Sequence, residues 1–347
     1  MIESEAQSAA LAAFLTRMPE VLSAASGGVV LFRAESGDYL AALGTSGVVH
    51  ALQTYRPAAE ALDRQGVTRI TAPQGPYRLA VVFATKHKEE VLYHMALAVD
   101  SLEEGGHLLV IAANTLGSGS LERRCEELLG VVHSFSKHKC RVIQGVRREA
   151  ELNRAQLDIW RQSGVLQRRV DTGLYSCPGL FSWKAIDVGS RLLSQSLPDG
   201  LTGCGADLGA GYGWLSREAL IRCKGIVELH LVEAEQKALQ AAELNLAPIA
   251  KDVRLHFHWL DVTAGLPFKG LDFVLMNPPF HAGRGALPSL GRAFVREALR
   301  VLRPGGRLFM VANRQLPYEN EIEAMSGEIV SAELSQGFKV IIARRLA

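Results

Sequence analysis

The stretch ADLGAGYG, residues 206–213, indicates the fold of this 347-residue chain. It follows a short apolar run and precedes a segment with helical spacing, so we place its glycines at a strand-to-helix turn. Glycine lets the backbone N–H groups of such a turn approach a ligand closely, because a Cβ would collide with that ligand. Rossmann dehydrogenases and many neutral turns share this pattern, so the stretch alone does not select a ligand.

The segments on both sides of this turn alternate between strand and helix patterns. We predict strands over residues 203–208, 225–232, 253–259, 271–276, 307–311 and 337–344. Helices are predicted over 214–224, 235–246 and 291–302, the last one ended by a turn at 303–306. Such alternation is typical of a doubly wound, Rossmann-like α/β sheet, whose ligands lie beyond the carboxyl ends of its strands.

The first half of the chain shows the same alternation without a glycine-rich turn of this kind. Its predicted strands cover 28–32, 79–84 and 107–113, and a helix over 88–102 places Val91, Met95 and Ala98 on one face. A chain of 347 residues exceeds one ordinary domain. We therefore predict two α/β domains in tandem, residues 1–165 and 166–347.

The composition excludes several classes of protein. The chain is 48% hydrophobic and 21% charged, which excludes a disordered protein, and its net charge of +2 is too balanced for a wholly basic nucleic-acid binder. Its five cysteines form no C-x-x-C pair, so neither a disulfide framework nor a metal site is expected. No apolar run is long enough to cross a membrane and the first residues are acidic, which predicts a cytoplasmic protein.

One stretch, residues 137–170, concentrates positive charge. It holds nine Lys and Arg residues against three acids, and nine minus three gives a net charge of +6. A solvated helix face commonly has this composition. The same stretch would be a phosphate-binding surface if the second domain acts on nucleic acid.

Two acids near the glycine turn favour a particular kind of ligand. Asp207 lies at the end of the strand just before the glycines, where it would repel a pyrophosphate but suit an amine-bearing ligand. Glu233 ends the next strand, where a carboxylate can accept both hydroxyls of a ribose. Together they favour a nucleoside that carries an amino acid, such as S-adenosylmethionine. A third acid, Asp261, follows the next strand and is either a turn cap or an acceptor for the adenine amine.

The tetrapeptide Asn277-Pro278-Pro279-Phe280 follows the apolar strand predicted over 271–276. The prolines fix the backbone and remove two donors, so the Pro278 carbonyl and the Asn277 side-chain oxygen form a pair of acceptors. Such a pair can hold both hydrogens of a planar –NH2 group, with the nitrogen aimed at an electrophilic methyl. Phe280 supplies a ring on which a flat base can stack.

These motifs resemble those of class I S-adenosylmethionine-dependent methyltransferases, in particular the ribosomal RNA guanine-N2 methyltransferases of the small- and large-subunit type. Further matching segments are PGLFS (178–182), DVGS (187–190), NPPFHxG (277–283), PGG (304–306), VANxxLPY (311–318) and GFKV (337–340). The resemblance covers most of residues 170–347. It implies a catalytic C-terminal methyltransferase domain, preceded by a degenerate methyltransferase-like domain.

The resemblance also implies a role for each motif residue. The residues that would contact the cofactor are Asp207, Gly209, Gly211, Gly213, Glu233, Asp261, Phe181 and Ser182. The residues that would contact the guanine are Asn277, Pro278 and Phe280. Within the first set, the glycines and Asp207 would line the methionine side, and Phe181 with Ser182 would close the pocket.

The sequence therefore predicts transfer of a methyl group from S-adenosylmethionine to the N2 amine of a guanine in ribosomal RNA. The enzyme is expected to be a monomer without a metal that acts on rRNA or a ribosomal subunit, with the first domain and the basic stretch contacting RNA. Methylation of a protein glutamine amide or of adenine N6 remains an alternative function, because the two acceptors fit any planar –NH2. A noncatalytic RNA-binding assembly factor that has kept the fold stays open as well.

Overall fold

A computed structural model describes residues 3–44, 47–279, 281–282, 285–286 and 288–347 of the protein. The chain divides into two compact units. The first unit comprises Met1–Val165 and Cys177–Gly179, and the second comprises Leu166–Ser176 and Leu180–Ala347. In the described part of the chain, every helix is too short or too polar to cross a membrane.

The first unit contains seven strands and seven α-helices within its described residues. The strands are β1 (Val29–Phe32), β2 (Val49–Leu52), β3 (Thr68–Arg69), β4 (Tyr77–Phe83), β5 (Leu102–Ala113), β6 (Val132–Lys137) and β7 (Cys140–Val146). The helices are α1 (Glu3–Arg17), α2 (Pro19–Ala24), α3 (Tyr39–Gly44), α4 (Arg56–Arg64), α5 (Lys88–Ser101), α6 (Ser118–Leu129) and α7 (Arg154–Ser163). The sheet has the order β3-β2-β1-β4-β5-β7-β6, and its antiparallel pairs are β5 with β7 and β7 with β6.

Both faces of this sheet are covered by apolar side chains. One core packs Met95 of α5 and Trp160 of α7 against the sheet, and the other packs Leu11 and Phe14 of α1 against the opposite face. All four residues of β1 are buried, which explains why its sequence is a continuous apolar run. The predicted strands and the helix of this half are confirmed to within a few residues.

The basic stretch 137–170 is more evenly charged in the structure than its composition indicates. Arg147 pairs with Glu104 and Glu149, and Arg148 pairs with Glu151. Further ion pairs within the unit join Arg141 to Glu122, Arg154 to Glu149, and Arg161 to Asp100 and Asp158. Carboxylates of the same unit therefore neutralise its central arginines, and contact of this stretch with RNA stays a prediction.

The second unit contains a second seven-stranded sheet. Its strands and those of two small hairpins are β8 (Gln167–Arg168), β9 (Tyr175–Ser176), β10 (Thr202–Leu208), β11 (Gly225–Glu233), β12 (Arg254–Trp259), β13 (Leu271–Met276), β14 (His281–Ala282), β15 (Gly285–Ala286), β16 (Leu302–Asn313), β17 (Gly327–Ser335) and β18 (Phe338–Arg345). The helices are α8 (Val188–Gln195), α9 (Trp214–Arg222), α10 (Gln236–Leu246), α11 (Pro288–Val301) and α12 (Glu319–Ala324). The large sheet has the order β12-β11-β10-β13-β16-β18-β17.

The register of the central strands brings three turns to the same edge of this sheet. Leu208, the last residue of β10, pairs with Val232 of β11 on one side and with Met276 of β13 on the other. Since the three strands are parallel, the residues that follow them leave the sheet side by side. The glycine turn, Glu233 and Asn277 are these residues.

Two features of the second sheet differ from the predictions. Residues 303–306 lie inside β16 rather than before it, and the pairing skips from Leu302 to Arg307 so that they form an irregularity in the strand. Strand β17 was not predicted. Its residues follow no regular alternation and are mostly exposed, Val330 and Leu334 included, because it is an antiparallel edge strand.

Candidate active site

The turn after β10 has the backbone geometry that only glycine adopts readily. Gly209, Gly211 and Gly213 have φ values of +73°, +54° and +84°. The N–H of Gly209 donates to the Val232 carbonyl at 2.9 Å, which ties the turn to β11. A Cβ on Gly213 would approach Ala242 to 3.1 Å, whereas a Cβ on Gly211 would meet nothing within 4 Å. The turn is therefore packed from behind at Gly213 and open at Gly211.

Asp207 supports this turn from inside the protein. Its side chain is fully buried, and its Oδ2 accepts hydrogen bonds from the Ser216 N–H at 3.1 Å and the Ser216 hydroxyl at 2.7 Å. Burial raises the pKa of the Asp207 carboxyl to about 7, with the Ser216 hydrogen bonds opposing the shift. The predicted contact of Asp207 with the methionine side of a cofactor stays a proposal. The carboxyl joins β10 to the first turn of α9.

Glu233 lies next to the open part of the turn. Its Oε2 accepts the Gly211 N–H at 2.8 Å and its Oε1 accepts the Glu235 N–H at 2.9 Å. Burial raises the pKa of this carboxyl, although the backbone hydrogen bonds oppose the shift. A carboxylate offers about four lone-pair sites. Glu233 therefore retains acceptor capacity for two hydroxyl groups while it holds the turn in place.

Asp261 caps a short helical turn. Its Oδ1 accepts hydrogen bonds from the N–H and the hydroxyl of Thr263, both at 2.8 Å. This turn, Val262–Ala264, directly follows β12 and the carboxyl is partly exposed. The interpretation of Asp261 as a cap is confirmed. Contact between its second oxygen, Oδ2, and an adenine amine stays a proposal.

Asn277 has a fixed orientation. Its amide nitrogen Nδ2 donates to Asp187 Oδ2 at 2.9 Å and to Ser190 Oγ at 2.8 Å. Both hydrogens of the amide are thereby used, so the oxygen Oδ1 is the group that remains for a ligand. Pro278 is buried beside it, and Phe280 lies outside the described residues.

Asp187 and Ser190 were not assigned a role from the sequence. Asp187 is the N-cap of α8, and its Oδ2 also accepts the Ser190 N–H at 2.8 Å. An acid followed three residues later by Ser at the start of a helical segment is a recognisable cap. Nothing in the sequence pattern, however, indicates that the same cap contacts Asn277, 90 positions further on.

One pocket joins the glycine turn to Asn277. Its lining comprises Phe181, Asp187, Ser190, Gly209, Ala210, Gly211, Tyr212, Trp214, Leu215 and Asn277. Four of these, namely Phe181, Gly209, Gly211 and Asn277, were predicted as site residues. Phe181 is 65% exposed, so it forms the outer rim. Gly213, Pro278 and Ser182 adjoin lining residues in the sequence but do not line the pocket. Glu233 accepts the N–H of the lining residue Gly211, and neither Glu233 nor Asp261 is part of the lining.

Tyr212 and Asn245 support the pocket from behind. The Tyr212 hydroxyl donates to the Ser182 carbonyl at 3.4 Å, which links the turn to the segment that carries Phe181. Burial raises the pKa of Tyr212 to about 12. The Asn245 amide donates to the carbonyls of Tyr212 and Tyr175, at 2.9 Å and 3.0 Å. These supports have no sequence signature, because each joins positions that are far apart in the chain.

A second cluster of titratable groups lies on β11 and β12. Glu228 Oε1 is 3.2 Å from His230 Nε2 and 3.1 Å from His256 Nε2. The two imidazole rings stack with an interplanar angle of 15° and centroids 4.6 Å apart. Since the lone pair of an imidazole nitrogen lies in the ring plane, rings stacked in this way cannot direct both nitrogens at one ion. The cluster is better described as two imidazoles that share the Glu228 carboxylate, and we assign no metal to it.

Two family models match nearly the whole chain. The model described as the N-terminal part of the methyltransferase small domain matches residues 24–163. The model described as the methyltransferase small domain matches residues 171–342. Together with the doubly wound sheet and the pocket at its carboxyl edge, they define the protein as a methyltransferase with two domains of this type.

Individual relatives narrow the class to one family. The ribosomal RNA small subunit methyltransferase C of Hahella chejuensis is 31% identical over 269 residues, which cover 76% of each chain. That of Acinetobacter baylyi is 28% identical over 281 residues, 79% of this chain and 81% of its own. The chain belongs to the ribosomal RNA small subunit methyltransferase C family. The resemblance inferred from the motifs is thereby confirmed.

A solved structure supports the same fold for the whole chain. It is the T. thermophilus 16S rRNA N2 G1207 methyltransferase in complex with AdoMet and guanosine. The match has a TM-score of 0.76 at 23% identity and covers 94% of this chain and 92% of that one. The predicted fold, two methyltransferase-type α/β domains in tandem, is therefore confirmed.

Proposed function

We propose that the protein transfers a methyl group from S-adenosylmethionine to the exocyclic N2 amine of a guanine in ribosomal RNA. Family membership confirms the predicted enzyme class, an rRNA methyltransferase that uses this cofactor. The guanine amine is the group that the T. thermophilus protein methylates according to its description. The relatives' names favour rRNA of the small subunit as the substrate of this chain.

One observation carries this proposal: Gly211 and Asn277 line the same pocket. The glycine turn leaves space for the cofactor at Gly211, where a Cβ would meet nothing within 4 Å, and Asn277 supplies an oriented acceptor for the amine. A methyl donor on the turn would thus lie next to a nitrogen held by Asn277. Proximity of this kind removes much of the entropic part of the barrier.

The chemistry of a ring amine explains why two acceptors are needed. The lone pair of the guanine N2 is delocalised into the ring, which makes the nitrogen a poor nucleophile. Hydrogen bonds to the Asn277 Oδ1 and the Pro278 carbonyl would hold the amine and stabilise the positive charge that develops on it. S-adenosylmethionine would supply the methyl as an electrophile: the N–C bond would form as the S–CH3 bond breaks with its electron pair left on sulfur, and the amine would release one proton to solvent.

The remaining site residues would act on the cofactor and the base. Glu233 would accept the ribose hydroxyls, Asp261 would accept the adenine amine, and Phe181 would cover the outer side of the pocket. A base paired in RNA hides its amine, so the guanine must leave the helix at a cost of a few kcal/mol. We propose that stacking on Phe280 offsets part of this cost.

Family membership weighs against the two alternative functions. Methylation of a protein glutamine amide or of adenine N6 needs the same pair of acceptors, but the relatives of this chain are rRNA methyltransferases. A noncatalytic assembly factor has no need for an open glycine turn beside an oriented asparagine. The pocket therefore favours an enzyme.

The decisive experiment follows a tritiated methyl group from S-adenosylmethionine onto separated small- and large-subunit rRNA. We expect label on small-subunit rRNA, and mass analysis of its nucleosides should identify N2-methylguanosine. The Asn277→Ala variant should bind the cofactor and transfer no more than a trace of label. Label on adenosine or on protein, or full activity of Asn277→Ala, would overturn the proposal.

A further inference from the structure

We infer that Asp187 and Ser190 are positioning residues that hold the Asn277 amide with its oxygen facing the substrate amine. The inference rests on the proposed function, because it concerns how the acceptor of that function is oriented. Asp187, Ser190 and Asn277 all line the pocket that also contains the open glycine turn.

The orientation of Asn277 follows from a count of donors and acceptors. An asparagine amide can rotate by half a turn, which exchanges its NH2 and its oxygen. In the observed orientation, Nδ2 donates to the Asp187 carboxylate at 2.9 Å and to the Ser190 hydroxyl at 2.8 Å. The rotated amide would instead place its oxygen against the carboxylate, which can only accept. Asp187 therefore excludes the rotated orientation and keeps the Asn277 oxygen available.

Asp187 is itself held in place. Its Oδ2 accepts both the Asn277 Nδ2 and the Ser190 N–H, the latter at 2.8 Å in the first turn of α8. Ser190 is buried, so its hydroxyl has little freedom to leave Asn277. The helix α8 thus fixes the cap, and the cap fixes the asparagine.

The charge of Asp187 has a second consequence. Hydrogen bonds to an ionised group are stronger than those between neutral groups, and linked hydrogen bonds polarise one another. A carboxylate on the NH2 side of Asn277 increases the negative partial charge on the amide oxygen. That oxygen is then a better partner for an amine that becomes positive during methyl transfer.

A substitution must separate this role from helix capping. Serine is as good an N-cap as aspartate, but its side-chain oxygen lies one bond closer to the backbone and carries no charge. Asp187→Ser should therefore preserve α8 and lose the contact with Asn277. Asn153→Ser exchanges another N-cap, that of α7, and is the matched control for the effect of capping alone.

The expected results concern the rate of the chemical step. With cofactor and RNA saturating, Asp187→Ser should transfer methyl about 10- to 100-fold more slowly, a loss equivalent to one hydrogen bond to a charged group. Its cofactor affinity and its KM for RNA should stay within about threefold of the wild type, because a positioning residue affects the chemical step rather than binding. Ser190→Ala should show a smaller loss in the same direction, and Asn153→Ser should show none.

A double-mutant cycle distinguishes the inference from the proposed function. In single turnovers followed by tritium, Asp187→Ser should cause no further loss in the Asn277→Ala background, because no amide is left to orient. Equal losses in both backgrounds would overturn the positioning role while leaving the function intact. Wild-type activity of Asn277→Ala would instead overturn the proposed function. A loss of cofactor binding in Asp187→Ser would assign Asp187 to the cofactor and contradict the inference.

Discussion

At the scale of single residues, the buried carboxyl of Asp207 makes the stability of the fold depend on pH. Burial raises the pKa of Asp207 from 3.8 to about 7. Between these values the folded protein holds a proton that the unfolded chain has released, so stability falls as pH rises from about 4 to 7. Above the folded-state pKa, Asp207 is ionised in both states, so its contribution to stability no longer changes with pH.

The substitution Asp207→Asn should remove this dependence. An asparagine oxygen can still accept both hydrogen bonds from Ser216, while the side chain no longer ionises. In urea unfolding, the stability of the variant relative to wild type should increase by about 2–3 kcal/mol between pH 5 and pH 8. If the free energies of unfolding of the variant and the wild type differ by the same amount at both pH values, the role of Asp207 is contradicted.

The glycine turn allows another test at the scale of one residue. Gly211 has a φ of +54° and a Cβ there would meet no atom of the protein, but it would enter the pocket. Gly66 has a φ of +74° and equally open surroundings, in the first unit. Both Gly211→Ala and Gly66→Ala should lose about 1–2 kcal/mol of stability.

Only Gly211→Ala should weaken the binding of S-adenosylmethionine, by about tenfold or more, since one methyl group displaces the cofactor. Isothermal titration calorimetry measures this directly, with Gly66→Ala as the control for backbone strain. Equal affinities in the two variants would show that the cofactor does not contact Gly211.

At the scale of elements, the turn after the first strand differs between the two units. In the first unit Arg33 occupies the position of Gly209: its φ is +57° and its N–H donates to the Leu52 carbonyl at 3.2 Å. The Arg33 guanidinium lies 3.7 Å from Glu90 and donates to Thr54 at 2.9 Å. The first unit has thus kept the turn, but a guanidinium lines the pocket beside it, together with Glu35 and Gln53.

The first unit should therefore bind no S-adenosylmethionine. A calorimetric titration of the full chain should give one cofactor per chain, and Arg33→Ala should leave this stoichiometry unchanged. The ion pair between Arg33 and Glu90 is the reason, because a cofactor bound at this turn would have to displace the guanidinium from a buried carboxylate. A stoichiometry of two would contradict the account of the first unit as degenerate.

We propose that the first unit contacts RNA through the turn between β6 and β7. Lys137 and Lys139 are exposed there, whereas the arginines further along are held in ion pairs. Lys137→Glu with Lys139→Glu should weaken RNA binding and reduce the slope of its salt dependence. Lys251→Glu with Lys269→Glu changes the net charge equally at exposed sites of the second unit and is the control. Identical binding isotherms in a filter assay would exclude the hairpin from the RNA surface.

At the scale of the whole molecule, the sequence predicts what depends on local pattern. The glycine turn, Glu233 and Asn277 each follow an apolar strand, and parallel strands bring such positions to one edge. The direction of a side chain depends instead on partners that are distant in sequence. Asp207 turns inward to Ser216, and Asn277 is oriented by Asp187, neither of which a motif reveals. For the same reason the ion pairs that neutralise the arginines of 137–170 could not be predicted from their number.

The most direct test of the proposed site is a crystal structure of the protein with S-adenosylhomocysteine and guanosine. We expect both ligands to occupy the pocket between Gly211 and Asn277, with the guanine N2 about 3 Å from Asn277 Oδ1 and the Pro278 carbonyl. The cofactor sulfur should face that nitrogen across a gap that fits one methyl group. A cofactor bound away from the glycine turn, or a guanine whose amine does not contact Asn277, would contradict it.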